Sequence, residues 1–485
     1  MKKEKIKNQG QVYTPKYIVE NMLDFVEYND SVILKKHIID NSCGNGAFLT
    51  EIVKRYCISF LKNSNSKQIL KKELETYIHG IEVQEDIAEE CKKNLNNIIK
   101  NFGIVNVDWD IKCKDALIVN QYNNKMDFVV GNPPYVRVHN LKNNYDNVKK
   151  FDFSQQGMTD LYIVFFEIGF NMLNSQGKMC LITPSSFLKS NAGMNLRKYV
   201  YKNKNLYKII DLEHFQPFNA TTYTVITLFE NKKHESIEYF LYDTIQLKPY
   251  KIDNLKYDDM VIDNKIYLAK TEDLRMLYEV ERHYKNINKR NIVVKNGFAT
   301  LADTVFIDDF NIKDEHVIDV IKASTGKKTK CIFPYYLDGK KISESELRTK
   351  HLDIYSYLLS KKHSLKNRDI DNEEWFAFGR TQAIKDVSKY KISVNTIIKD
   401  IKSIKINESP AGTGIYSGLY ILTDHSLDTI KSILETEDFI NYLKLLKNYK
   451  SGGYYTFSSL ELEKFLTYKL EKCEHEQLGL FASYN

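Results

Sequence analysis

The sequence predicts an α/β chain, a doubly wound sheet in its first half followed by a second domain of different rhythm. Three observations carry this. A β-branched run ends at Asp40 in the turn Ser42-Cys43-Gly44-Asn45-Gly46, from which an amphipathic helix departs at Ala47. Apolar strand-like runs then alternate with helical stretches as far as about residue 230. Beyond about residue 245 the alternation stops. The expected domains are therefore 1–245 and 246–485, which suits a chain of 485 residues.

Taken in order, residues 16–28 read as a helix and 33–40 as a strand. The Gly-x-Gly turn and a helix from about 47 to 56 follow. Strands are expected at 77–82, 107–113 and 126–130. A long apolar helix is expected at 160–173, then strands at 178–183, 207–211 and 223–229, the last closing a β-hairpin element. The segment from Arg137 to Met158 is polar, with lysines interleaved with Tyr145, Phe151 and Phe153. It reads as a long structureless loop, either a mobile one that closes over DNA or a plain surface loop.

The most specific feature is Asn132-Pro133-Pro134-Tyr135, directly after the apolar run Met126 to Gly131. The carboxyl end of a strand is where open α/β sheets place their chemistry. Two successive prolines stiffen the backbone and remove two amide donors, so the turn presents acceptors: the Asn132 side-chain oxygen and the Pro133 carbonyl. Tyr135 adds a flat aromatic face. Such a site suits a planar amine that needs two acceptors and a stacking partner, as the exocyclic amino group of adenine does.

Upstream, Gly44 and Gly46 allow a sharp turn and the close approach of a ligand, although Leu49 stands where the dinucleotide fingerprint has its third glycine. The strand 77–82 ends in Glu82, an acid placed to accept from both hydroxyls of a ribose. The strand 107–113 leads to Asp115, which is placed to accept from an adenine amino group. Each signal alone is matched by a bland reading as a surface acid or an ordinary turn. Their order on successive strand ends is the informative part.

Composition sets broad limits. The net charge of +7 mildly favours a polyanionic partner. Seven scattered cysteines without a Cys-x-x-Cys pair point to reduced thiols in a cytoplasmic chain, not to disulfides or zinc. No apolar run approaches membrane-spanning length, and the lysine-rich start lacks the apolar stretch of a signal peptide.

With these motifs in order, the chain resembles the class I S-adenosylmethionine-dependent methyltransferases. Within them it resembles the gamma-class, TaqI-like adenine-N6 DNA methyltransferases of restriction-modification type. Gly10-Gln11-Val12-Tyr13-Thr14-Pro15 is similar to the family's N-terminal cofactor segment, which places Tyr13, Thr14 and Pro15 at the cofactor. Asp40, Ser42, Gly44 and Gly46 fall on the methionine-binding turn, with Asn41 where proline is commoner. Glu82 falls on the ribose-binding acid, Asp115 on the adenine-contacting acid, and Asn132, Pro133, Pro134 and Tyr135 on the catalytic motif. Phe218 falls on a second base-stacking aromatic, with Phe215 as the rival register. The resemblance implies a class I sheet, S-adenosyl-L-methionine as cofactor, duplex DNA as partner and a C-terminal α+β target-recognition domain over 246–485. It also implies that the chain works as a monomer.

The implied reaction is methyl transfer to the N6 amino group of an adenine flipped out of the duplex, because that group is otherwise engaged in pairing. Asn132 and Pro133 would accept from the amino group, and Tyr135 and Phe218 would sandwich the base. No metal is required. Cytosine-N4 DNA methylation stays open, as do protein-glutamine and ribosomal-RNA amino methylation, all of which use similar pockets. Cytosine-C5 chemistry is disfavoured, since no cysteine lies between Asn132 and Phe170. The cofactor segment begins at residue 10, so no nuclease domain is expected before it, and a cognate restriction endonuclease would be a separate chain.

In the C-terminal half, Arg380 and Gln382 are side chains able to read base edges bidentately. Lys327, Lys328 and Lys330 are candidates to neutralise phosphates. Trp375 and Phe376 read as domain core.

Overall fold

The computed structural model describes residues 13–138, 145–218, 222–287, 291–369 and 374–482. Gly10 to Val12 of the N-terminal segment, part of the 137–158 loop and Asn219 to Thr221 lie outside the described residues. The chain divides into two compact units, Met1–Arg275 and Met276–Asn485.

The first unit is built on strands β1 (Ile38–Asp40), β2 (Ile78–Glu82), β3 (Asp110–Cys113), β4 (Met126–Gly131), β5 (Leu173–Pro184), β6 (Leu206–Asp211), β7 (Thr224–Glu230), β8 (Ser236–Asp243) and β9 (Lys248–Lys256). They form one sheet of order β3-β2-β1-β4-β5-β7-β6-β8-β9. β3, β2, β1, β4 and β5 are parallel, whereas β7 lies antiparallel between β5 and β6. Helices α1 (Lys16–Phe25), α2 (Ala47–Leu61), α3 (Lys67–Tyr77), α4 (Glu85–Lys100), α5 (Leu161–Met172) and α6 (Met194–Asn203) accompany it. The order reverses between β1 and β4. That switch point is where ligands bind in open α/β sheets.

The central strands are apolar runs because both of their faces are covered. β2 and β7 are buried along their whole length. α5 shows little one-sided periodicity for the same reason: nine of its twelve residues are buried. The structure shortens the expected strand 33–40. Residues Asp30–Ile33 form a 3-10 turn, Lys35 adopts φ +58°, and only Ile38–Asp40 is strand. Lys35 and Lys36 are exposed, so nothing draws that stretch into the sheet. The loop expected over 137–158 is likewise not structureless where described. Tyr145–Val148 and Asp152–Ser154 form short helical turns, Arg137 bridges Asp160, and Val148, Phe153 and Ser154 are buried.

The second unit is α+β. One four-stranded sheet has the order β10 (Ile292–Asn296), β17 (Leu419–Thr423), β14 (Lys391–Val394), β15 (Ile406–Ser409). The other has the order β11 (Ile307–Asp308), β13 (Lys327–Ile332), β12 (Val317–Lys322), β16 (Gly414–Tyr416). Its own core includes Phe298, Phe306, Phe333, Trp375, Phe376 and Phe378, so the Trp375/Phe376 pair is packing, as expected. Among the described residues no helix is long and apolar enough to cross a membrane.

Candidate active site

β1 delivers Asp40 at its carboxyl end, where the side chain is only 1 % exposed. Asp40 Oδ1 accepts from the Ser42 backbone N–H at 3.1 Å. Burial pushes this carboxyl up to about 7. The Ser42 N–H opposes the shift, and the nearby negative Glu82 adds to it. The close approach of β4 is possible because residue 131 is glycine: a Cβ there would stand 2.7 Å from Asp40 Oδ1.

The turn that follows is clamped from β2. Glu82, almost fully buried, accepts from the Gly44 N–H through Oε2 and from the Gln84 N–H through Oε1, both at 3.0 Å. The two glycines play different parts. Gly44 has φ +52°, lines the cavity and has open space where a Cβ would stand. Gly46 caps α2 at φ +90°, and a Cβ there would lie 2.8 Å from Cys91 Sγ on α4. Gly46 thus serves helix packing, while Gly44 leaves room for a ligand.

The Asn132 turn is tied to both neighbours. Asn132 Nδ2 donates to Thr14 Oγ1 at 3.1 Å, and Ser42 Oγ donates to the Asn132 carbonyl at 3.3 Å. With Nδ2 turned to Thr14, the amide's other prong, Oδ1, is its acceptor. Tyr135 donates its hydroxyl to the Ile182 carbonyl at 3.1 Å, and burial raises the pKa of that hydroxyl well above its usual value.

Most of these groups surround one cavity of about 300 Å³, whereas Tyr135 and Phe218 are not among its lining residues. Tyr13, Thr14, Asp40, Ser42, Gly44, Glu82, Asp115, Asn132, Pro133 and Pro134 all line it. Pro15 and Gly46 are not among its lining residues; Pro15 caps α1, where its carbonyl accepts from Ile18 and Val19. Asp115 caps a 3-10 turn by accepting from the Leu117 N–H at 3.0 Å. Tyr135 meets Phe218 edge to face, with centroids 6.3 Å apart and planes at 73°. Phe215 instead stacks on Tyr242, at 5.2 Å and 6°. Of the two rival registers, Phe218 is the one beside Tyr135 of the Asn132–Tyr135 turn.

Sequence reasoning missed the apolar walls Phe48, Leu117, Leu161 and Phe165, and the buried Asn41. Phe48 and Leu117 follow the glycine turn and Asp115 closely, so proximity to the motifs was their only signal. Neither polar atom of Asn41 finds a hydrogen-bond partner, although its side chain is 1 % exposed. The donor set fits S-adenosylmethionine. Three acids, Asp40, Glu82 and Asp115, line the cavity, the glycine turn leaves backbone space, and the Tyr13 hydroxyl is pushed up by partial burial and then by the charges of Glu90, Glu82 and Asp86. That negative field suits a cationic ligand.

In the second unit Arg380 and Gln382 are exposed near one another in sequence. The Arg380 backbone pairs with Ala299, and Gln382 Nε2 donates to the Gly297 carbonyl at 3.2 Å. Lys327, Lys328 and Lys330 are exposed on β13, with Lys330 opposite Asp319 of β12.

Residues 44–218 match the Eco57I restriction-modification methylase family. Among curated relatives, the chain is 24 % identical to the Type II methyltransferase M.BstVI of Geobacillus stearothermophilus, over 76 % of this chain and 73 % of that one. It is also 24 % identical to the Type II restriction enzyme and methyltransferase RM.Eco57I of Escherichia coli, covering 90 % of this chain but only 54 % of the relative. Among solved structures, that of the Type IIL restriction-modification enzyme MmeI in complex with DNA superposes with a TM-score of 0.63 at 12 % identity. It covers 94 % of this chain and 64 % of that one.

Proposed function

We propose that this chain, which carries an Eco57I-type restriction-modification methylase domain, is a site-specific DNA methyltransferase acting on the N6 amino group of adenine. The observation that supports this most is the seat of the Asn132-Pro133-Pro134 turn. It lines the same cavity as Glu82 and Asp115, with its amide and carbonyl held by Thr14 and Ser42.

The residues divide the work. Glu82 and Asp115 hold the ribose and adenine ends of S-adenosylmethionine, while Asp40, Ser42 and the Gly44 backbone hold its amino-acid end. When bound, this cofactor supplies the electrophilic methyl group. Asn132 Oδ1 and the Pro133 carbonyl accept from the target amino group and keep electron density on its nitrogen. Tyr135 and Phe218 receive the extruded base, and stacking of this kind is worth roughly 1–3 kcal/mol per base. The two rings meet edge to face, so a base that stacks between them must part them. Lys327 and Lys328 are proposed phosphate contacts, and Arg380 and Gln382 proposed base readers. The relation to M.BstVI, RM.Eco57I and the DNA-bound MmeI favours duplex DNA over a protein or ribosomal substrate.

The test is modification-sensitive sequencing of DNA from cells expressing this gene alone. Adenine methylation confined to one sequence context, and lost in Asn132→Ala, is expected. Unmodified DNA in cells that accumulate folded protein would refute the assignment.

A further inference from the structure

The second unit holds a cluster that the reaction does not use. His316 immediately precedes β12 and is buried, and His351 begins the helix Leu352–Ser360. Their rings meet at right angles with centroids 4.5 Å apart. One ligand atom from each of Glu315, His316 and His351 lies within 4.8 Å of the others.

The outer partners decide what these rings present. His316 Nδ1 faces the Tyr335 carbonyl at 3.2 Å, and a carbonyl only accepts, so Nδ1 carries the proton. His351 Nδ1 faces Asp314 Oδ2 at 2.8 Å, with the same consequence. Asp314 is itself fixed, since its Oδ1 accepts from the His316 backbone N–H at 2.9 Å. With the proton on Nδ1, the neutral form of each ring presents Nε2 as a lone-pair nitrogen. His316 Nε2 is buried and makes no hydrogen bond; the closest carboxylate is Glu315 Oε1, at 3.8 Å, which is itself an acceptor. A buried His316 Nε2 without a hydrogen-bond partner, with a ligand atom of His351 and a Glu315 carboxylate oxygen close by, is an arrangement that a cation would satisfy. Imidazoles whose Nδ1 is held by a carbonyl or carboxylate are the usual form of metal-ligating histidine.

We propose that Glu315, His316 and His351 bind a divalent zinc ion, with Asp314 and the Tyr335 carbonyl orienting the two rings. Two imidazoles and one carboxylate are a borderline donor set that suits zinc better than calcium or magnesium. Zinc bonds of about 2.0–2.2 Å put ligand atoms roughly 3.3 Å apart. Side-chain rotation, chiefly of the exposed Glu315, closes the cluster to that size. A water molecule fills the fourth position. The ion ties the start of β12, in the sheet that carries Lys327 and Lys328, to the start of the helix at His351.

The test uses the full chain stripped with chelator and titrated with zinc alone, and with cobalt(II) for its tetrahedral visible spectrum. About one equivalent bound, a cobalt band and a raised unfolding temperature of the second unit are expected. His351→Gln should lose all three. Asp314→Asn should bind roughly ten- to a hundredfold more weakly while remaining folded. Glu315→Gln, at an exposed side chain, keeps the test informative should the histidine variants fail to fold; it should lower affinity and alter the cobalt band. A wild-type chain that takes up neither metal would overturn the proposal. So would a metal content and spectrum unchanged in Glu315→Gln and His351→Gln.

Discussion

Replacing Gly46 by alanine separates two meanings of a glycine turn. The backbone there has φ +90°, which costs an L-residue about 1–2 kcal/mol. The added Cβ would sit 2.8 Å from Cys91 Sγ. Cys91 is fully buried, so it has little room to turn away. Overpacking of this kind typically costs 1–3 kcal/mol. The sum is a loss of about 2–5 kcal/mol in the stability of the first unit. Cys91→Ala in the same chain should recover the packing part, leaving a coupling of roughly 1–3 kcal/mol in a double-mutant cycle. The chain has two tryptophans, Trp109 in the first unit and Trp375 in the second. In a Trp375→Phe background, urea unfolding followed by Trp109 fluorescence reads the first unit alone. Gly44→Ala is the control. It meets nothing within 4 Å, so it should cost only the backbone part of stability, about 1–2 kcal/mol, yet lower S-adenosylmethionine affinity about tenfold or more. A Gly46→Ala chain of normal stability and reduced cofactor affinity would refute this division of roles. So would a loss that Cys91→Ala leaves untouched.

Further expectations follow from the same geometry. Asn132→Ala should lower the single-turnover rate on the target duplex on the order of a hundredfold, with cofactor affinity nearly unchanged by calorimetry. Thr14→Val removes the acceptor of the Asn132 amide and should slow the same step about five- to tenfold. The folded pKa of Asp40, about 7, lies above its ordinary 3.8. Its contribution is therefore fully present below about pH 4 and is lost as pH rises through 7, and Asp40→Asn should flatten that part of the stability profile measured by denaturation. Lys327→Ala with Lys328→Ala should weaken DNA binding at every sequence and reduce the salt slope of binding by about two, read from titrations at several salt concentrations.

The parallel core was legible because strands covered on both faces are continuous apolar runs. β2, β4, β6 and β7 fall within about a residue of their expected bounds. β8 and β9 extend the sheet unannounced. β9 is an edge strand, exposed along much of its length and rich in lysine, so it carries no apolar signature. The cavity was legible residue by residue wherever a motif tied a residue type to a strand end, as with Glu82, Asp115 and Asn132. Gly46 was read as a ligand glycine because nothing local points to Cys91, which lies on another helix. The 137–158 segment concealed its anchors for a related reason: Val148 and Phe153 are isolated apolar residues without a period. His316 and His351 come together only through the fold of the second unit, which no spacing motif encodes.

The central claim is most directly tested by the chemical identity of the product. The purified chain is incubated with duplex DNA and S-adenosylmethionine labelled in its methyl group, and the DNA is digested to nucleosides and resolved by mass spectrometry. The label is expected in N6-methyl-2′-deoxyadenosine and absent from the same reaction with Asn132→Ala. Label in a methylated cytosine, or none in DNA while a protein or RNA substrate accepts it, would contradict the account.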